Sequence, residues 1–363
     1  MNLLFLLFIP VSIAGGSFFL LKDNVTWKEF LLQVVLGAAI CGVSYQVAKW
    51  GSLQDTEHLN GRITRKIDGT QSCCHCRTVC DARNKKGECT SSHVECDHIV
   101  DYYWDLDTSV GKIPIEDCSG SSSPPLVWSI AVVGEPAAVD HMYTNYLLAD
   151  SDSLMVHGVK SYLDQVPNYP DVRAKYHVDH VIGDQALSAP FLQEPMRELN
   201  ADVGPTNQVD VTLLLTSVQD PAYAQAVESK WLYGPKNSIT IVAGLQGDLV
   251  QWVRVVTFSK VEMLKVRLRD QLQGLSIKDP QFMAIIRREV TNGFRRTAMA
   301  DFEYLAATAS PHGWQLALLI LFEVLSSVGL AYWANVKDIF GDERLFRSRS
   351  FKGGFSRRKY YDL

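Results

Sequence analysis

Apolar residues gather in three long runs at the two ends of the chain, and the pattern between them alternates on the shorter periods of strands and amphipathic helices. Leu3 to Leu21 ("LLFLLFIPVSIAGGSFFLL") is uncharged over 19 residues, close to the ~20 a helix needs to cross the hydrocarbon core. No Lys or Arg precedes it and a second apolar run follows at once, so it reads as an anchor; a cleaved signal peptide is the alternative. Phe30 to Ala48 carries Gln33, Ser44 and Gln46, and is flanked by Trp27 and Trp50 as interfacial anchors. Its Gly37, Ala38, Cys41 and Gly42 place small residues four apart, a spacing that lets another helix approach closely. The third run, Trp314 to Trp333 ("WQLALLILFEVLSSVGLAYW"), contains one acid, Glu323. That residue lies about 13 Å along the helix from Trp314, near mid-membrane, where an acid costs roughly 2.5 to 3.5 kcal/mol. Glu323 is therefore expected to face other helices, with Gln33 or Tyr45 as hydrogen-bond donors.

The pattern predicts two transmembrane helices in 1–50, a Cys/His-rich and β-rich module in 51–160, an α/β domain in 161–312, a third transmembrane helix in 313–334 and a basic tail in 335–363. In the β-rich module, "VDYYWDLD", "GKIPIE" and "VWSIAVVG" alternate as short strands, and "CSGSSSPP" is a loop. In the α/β part, "VDVTLLLTS" (209–217) reads as a buried strand, "DPAYAQAVESKWLYG" (220–234) as a helix opened by Asp-Pro, "SITIVAGL" (238–245) and "VQWVRVVTFS" (250–259) as strands, and "KVEMLKVRLRDQLQ" and "PQFMAIIRREVTNGFRR" as helices. Strands alternating with helices of this length predict a mixed sheet covered by helices.

A hydrophobic share of 47% with 21% charged residues exceeds what a soluble chain of this size needs. Basic residues set the expected orientation. The tail holds Lys337, Arg344, Arg347, Arg349, Lys352, Arg357, Arg358 and Lys359, whereas nothing basic precedes the third run nearer than Arg296. The positive-inside rule makes the tail cytoplasmic. Three spans then put the central region outside, although Lys49, Arg62, Arg65 and Lys66 after the second run pull the other way. Near a membrane the basic tail finds anionic lipid rather than nucleic acid.

Candidate chemistry concentrates in "SCCHCRTVCDARNKKGECTSSHVECDH", residues 72 to 98, which holds six of the eight cysteines and three of the nine histidines. Cys76/Cys80, with Cys89/His93 or Cys96/His98, offers short-spaced pairs from separate turns, as zinc sites do. The spacing matches no standard zinc finger. On the outer side of a membrane the same thiols pair into disulfides, with Cys73 or the distant Cys118 completing the set. Metal ligation, disulfides and free thiols all stay open at this point. Elsewhere, His177, Asp179 and His180 ("HVDH") do not converge if extended, His141 beside Asp140 has no nucleophile near it, and Asp220, Asp248 and Asp301 are scattered acids. Gly234, Gly244 and Gly247 form no phosphate cradle.

"VGEPAAVDHMYTNYLLADSDSL" (133–154), "DPAYAQAVESKWL" (220–232) and "MADFEYL" (299–305) resemble an uncharacterised family of membrane proteins encoded by tailed bacteriophages. That family carries C-x-C-x3-C, matched here by Cys74, Cys76 and Cys80, and C-x3-C-x2-C-x2-H, where this chain has Cys89, His93, Cys96 and His98. His93 in place of a cysteine keeps a zinc ligand and would break a disulfide, so the resemblance implies zinc held among Cys74, Cys76, Cys80, Cys89, His93, Cys96 and His98. The α/β part is similar in plan to the TPM domain, an α/β module usually held outside the cytoplasm. The expectation is a non-enzymatic accessory protein in the host inner membrane, with its central region periplasmic, that binds an envelope protein or its own kind. A membrane-tethered phosphatase-like hydrolase is the alternative.

Overall fold

The computed structural model describes residues 3–20, 25–149, 162–170, 176–231 and 236–336. They form two compact units, one built on 3–54, 145–149 and 302–336, the other on 55–144 and 162–301. Lys22, Asp23, Asn24 and the basic tail lie outside the described residues.

The first unit is helical, with α1 Leu3–Leu20, α2 Trp27–Ser52 and, at the far end of the sequence, α8 Gly313–Val336. A capping box starts α2: the Glu29 amide donates to Thr26 Oγ1 at 3.3 Å, and the Thr26 amide donates to Glu29 Oε2 at 2.7 Å. Of the small residues of α2, Gly37 acts as the spacing predicts, since a Cβ there would stand 2.6 Å from Cβ of Pro10 on α1, whereas one on Gly42 would meet nothing within 4 Å. Among the described residues two helices, α2 and α8, are long and apolar enough to cross a membrane. The first run is a less clear span than expected, its 18 helical residues reaching only about 27 Å.

Glu323 is buried among these helices, as expected, but its partner is Ser44 Oγ, 3.4 Å from Oε1. Gln33 lies 11 residues, about 16 Å, along α2 from Ser44 and is too far away. Its Oε1 instead accepts from Ser17 Oγ at 2.9 Å. Tyr45 packs with Leu6, Cys41 and Leu319.

The second unit holds two four-stranded sheets and a separate pair. One sheet runs β10-β9-β8-β7, from β7 Val181–Ile182, β8 Asp210–Thr216, β9 Ser238–Gln246 and β10 Leu249–Thr257. β7, β8 and β9 are parallel and β10 is antiparallel to β9. Period-two alternation assigns the faces. Val211, Leu213 and Leu215 of β8 and Ile239, Ile241 and Ala243 of β9 pack against α4 Gln193–Asn207, α6 Glu262–Leu272 and α7 Pro280–Gly293 through Leu199, Leu268, Phe282 and Ile286. Leu214 and Val242 point the other way, toward α5 Tyr223–Lys230. Truncating a side chain such as Leu213, fully buried, would cost about 2 to 5 kcal/mol. α7 begins as its sequence dictates: Asp279 caps the Gln281 amide at 2.8 Å and Pro280 takes the first turn.

The other sheet is antiparallel and runs β5-β4-β1-β6, with β1 Gln54–Ser72, β4 Val100–Thr108, β5 Lys112–Ser119 and β6 Pro136–Thr144. "VWSIAVVG" is not a strand. Behind Pro124 and Pro125, residues Leu126–Ile130 form the short helix α3, and Trp128 Nε1 donates to Ile67 O and Asp105 O across the sheet. The β-rich and α/β parts belong to one compact unit because β1 is tied into both. Arg62 of β1 reaches Glu198 and Asp202 of α4 at 2.5 and 2.7 Å. Gly204 of α4 lies against the Asn60 carbonyl, where a Cβ would not fit. Asn60 Nδ2 donates to Asp210 at 2.8 Å.

Candidate metal centre at the base of a stapled arm

Among the described residues β2 Cys76–Arg83 and β3 Cys89–Cys96 pair only with each other, in register from Cys76↔Cys96 to Arg83↔Cys89. A tight turn joins them: Asn84 Oδ1 accepts the amides of Lys86 and Glu88, and Gly87 takes φ +85°. Apart from the half-buried Val79 and Cys80, every residue of the two strands is exposed. A two-stranded hairpin without a core is marginal in water. This one is closed by Cys76–Cys96 at its base and Cys80–Cys89 farther out, while Cys74–Cys118 fastens the chain just below it to the end of β5.

Below the arm, Ser72 of β1 faces Val100 of β4, so residues 73–75 and 97–99 cross from one sheet to the other side by side. That crossing assembles a four-donor group. Cys73 Sγ, one ring nitrogen each from His75 and His98, and a carboxylate oxygen of Asp101 all lie within 4.8 Å of one another. Asp101 is buried; its Oδ2 accepts the Cys74 amide at 2.6 Å and lies 3.8 Å from His75 Nδ1, and its Oδ1 contacts His98 Nε2. Burial alone would raise the Asp101 carboxyl. The Cys74 amide, the His98 hydrogen bond and the neighbouring imidazoles outweigh it and hold the carboxyl below its usual range.

One sulfur, two imidazoles and one carboxylate could hold a metal ion, and they suit zinc, whose tetrahedral ligands stand roughly 3.5 Å apart. Cys73 and His75 are partly or largely open to solvent and are the side chains with room to close the remaining distance. The Cys74 amide orients the carboxylate from behind, the arrangement that fixes ligands at metal sites. Four protein donors leave no open position, which fits a structural ion.

This is not the ligand set expected from the sequence. Cys74, Cys76, Cys80, Cys89 and Cys96 are all in disulfides, and a bridged sulfur offers no thiolate to a metal. His93 pairs with Asp81 on the arm at 2.6 Å. Of the seven candidates only His98 belongs to the four-donor group; Cys73, His75 and Asp101 complete it. Their signal was a C-x-H pair and an H-x2-D pair flanking a hairpin, which must meet at its base. Cys118 does complete a disulfide.

The remaining candidates are dispersed. Asp220 accepts from Tyr162 and the Ala222 amide, Asp248 pairs with Lys278, and Asp301 lies in the 3-10 segment Met299–Ala307. Lys265, Arg267 and Arg269 pair separately with Glu262, Glu289 and Asp270. His177 and Asp179 are exposed, while His180 is buried 3.4 Å from Asp210. His141 lies 3.0 Å from the buried carboxylate of Glu57, which also takes two bonds of 2.9 Å from Arg296. The chain matches no protein-family model, no curated protein and no solved structure.

Proposed function

We propose that this chain is a membrane-anchored, non-enzymatic interaction protein whose central region faces the oxidising side of the membrane and presents the β2–β3 arm to a partner. In this reading α1 spans together with α2 and α8, and the C-terminal tail is cytoplasmic. The resemblance to phage-encoded membrane proteins supports the host inner membrane as its place. Zinc at Cys73, His75, His98 and Asp101 braces the arm where it leaves the sheet.

One observation carries the reading: two disulfides close a hairpin that, among the described residues, contributes to no hydrophobic core. Crosslinks spent on a wholly exposed element stabilise its surface, and a surface held rigid loses less entropy when a partner docks. Three disulfides in one segment also belong to an oxidising compartment. The test is photo-crosslinking in cells, with a photoreactive residue at Val94 on the arm or, as a control, at Met263 on α6; both are exposed to 64%. The expected result is one discrete adduct from Val94, to an envelope protein or a second copy, and none from Met263. Adducts equal at both positions, or none at Val94, would contradict the reading.

A further inference from the structure

Among the described residues two cysteines stand outside disulfides, Cys41 in the helical unit and Cys73 at the arm base. Cys73 belongs to a second cluster as well as to the metal group: its Sγ and those of Cys76 and Cys96 all lie within 4.8 Å of one another. Cys76 and Cys96 form the bridge that braces the arm. A free sulfur next to a disulfide is the geometry of thiol–disulfide exchange, which runs through attack of one sulfur on a bridged one. The sequence favours one direction, because Cys73-Cys74-His75-Cys76 is a C-x-x-C segment, the short loop in which such exchange recurs.

We propose that Cys73 is an exchange thiol for the Cys76–Cys96 bridge, and that metal binding at the four-donor group holds the exchange off. Cys73 Sγ attacks Cys76 Sγ. The Cys73–Cys76 bond forms, the Cys76–Cys96 bond breaks, and the electron pair leaves on the Cys96 sulfur, which takes up the proton Cys73 gives away. One disulfide and one thiol stand on each side of the reaction, so no oxidant or reductant is consumed. The two states exclude each other. With a metal ion on Cys73 the attacking sulfur is occupied, and the bridge stays between β2 and β3. With Cys73 bound to Cys76 the metal group has lost its sulfur and the arm its basal crosslink, leaving only Cys80–Cys89 across the hairpin. Metal availability would thus decide whether the arm stands braced or loosened.

The control by metal rests on the zinc reading above, whereas the exchange does not, and the experiment separates them. Full-length protein carrying Cys41→Ala is held in detergent with either EDTA or excess zinc, then alkylated and mapped by non-reducing peptide mass spectrometry. In EDTA the label should appear on Cys96 together with a Cys73–Cys76 link. In zinc, Cys76–Cys96 should persist and Cys73 should react at least tenfold more slowly. Label confined to Cys73 after long incubation in EDTA would overturn the exchange. Equal labelling of Cys96 with and without zinc would overturn the metal control and leave the exchange standing. Cys73→Ser should keep Cys96 unlabelled in both conditions, and label on Cys96 in that variant would exclude Cys73 as the attacking sulfur.

Discussion

Replacing Cys80 and Cys89 together by serine removes the outer crosslink of the arm and almost nothing else, since both strands are exposed and pair only with each other. The bridge spans nine positions in sequence, and a closed loop of about ten residues restricts the open chain by roughly 2.7 kcal/mol. That energy corresponds to about a 100-fold rise in the open population of the arm. The domain core should not register the change, because no arm residue belongs to it. Hydrogen exchange followed by mass spectrometry measures both effects at once. Amides of β2 and β3 should lose about two orders of magnitude in protection while those of β8 keep theirs. Loss of protection in β8 alongside the arm would make the arm part of the cooperative core. Unchanged protection in β2 and β3 would mean that the hairpin ladder stands without its crosslink. Either result refutes the reasoning.

Arg296→Met should destabilise the larger unit by about 3 to 5 kcal/mol, because it strips the guanidinium whose Nη2 donates to both oxygens of Glu57, a fully buried carboxylate. Adding Glu57→Gln should restore most of the loss in thermal unfolding, and a double variant as unstable as the single one would contradict the assignment. Burial holds the His180 imidazole below its usual pKa, against the pull of Asp210, so the unfolded chain binds the proton more readily. The stability this confers is present above about pH 6.5 and is lost as pH falls toward the lowered folded value, with a slope of up to about 1.4 kcal/mol per pH unit. Denaturant unfolding between pH 7.5 and 5 should show a flatter slope for His180→Gln, and equal slopes would remove His180 from the account. Glu323→Leu removes the contact with Ser44, and should weaken crosslinking between α2 and α8 about threefold, the equivalent of roughly 0.6 kcal/mol for such bonds in membranes. Unchanged or stronger crosslinking would leave the acid without a packing role.

Much of the fold is legible where one physical signal dominates. β8 and β9 announce themselves through the apolar runs Leu213–Leu215 and Ile241–Ala243 because both of their faces are covered, and α7 does so through Asp279 and Pro280 at its start. β1 does not: "QDTEHLNGRITRKIDGTQS" is mostly polar, and beside the apolar Ile63 it buries Glu57, His58 and Asn60, where Arg296 meets the Glu57 carboxylate, Asn237 the His58 carbonyl and Asp210 the Asn60 amide. α4 is hidden by Pro195, Gly204 and Pro205, and Gly204 is needed for close approach to Asn60. "VWSIAVVG" alternates like a strand, yet becomes a helical turn because Trp128 finds its acceptors across the sheet. The cysteine spacing leaves metal and disulfides both open and the resemblance leans to metal, since the choice between them depends on strand register. Only with Cys76 opposite Cys96 and Ser72 opposite Val100 do six cysteines meet in pairs, and Cys73, His75, His98 and Asp101 come together.

An oxidised and stapled outer region on a membrane anchor leaves few free thiols, and they are counted in the full-length protein by alkylation at the moment of cell lysis, in denaturant with EDTA so that a metal-held sulfur reacts as well, and by mapping without reduction. Two alkylated sulfurs are expected, Cys41 and one of the arm base, with Cys74–Cys118 and Cys80–Cys89 intact. Exchange at Cys73 changes which basal sulfur is free and leaves the count at two. Label on all eight cysteines would place the region in a reducing compartment and contradict the account.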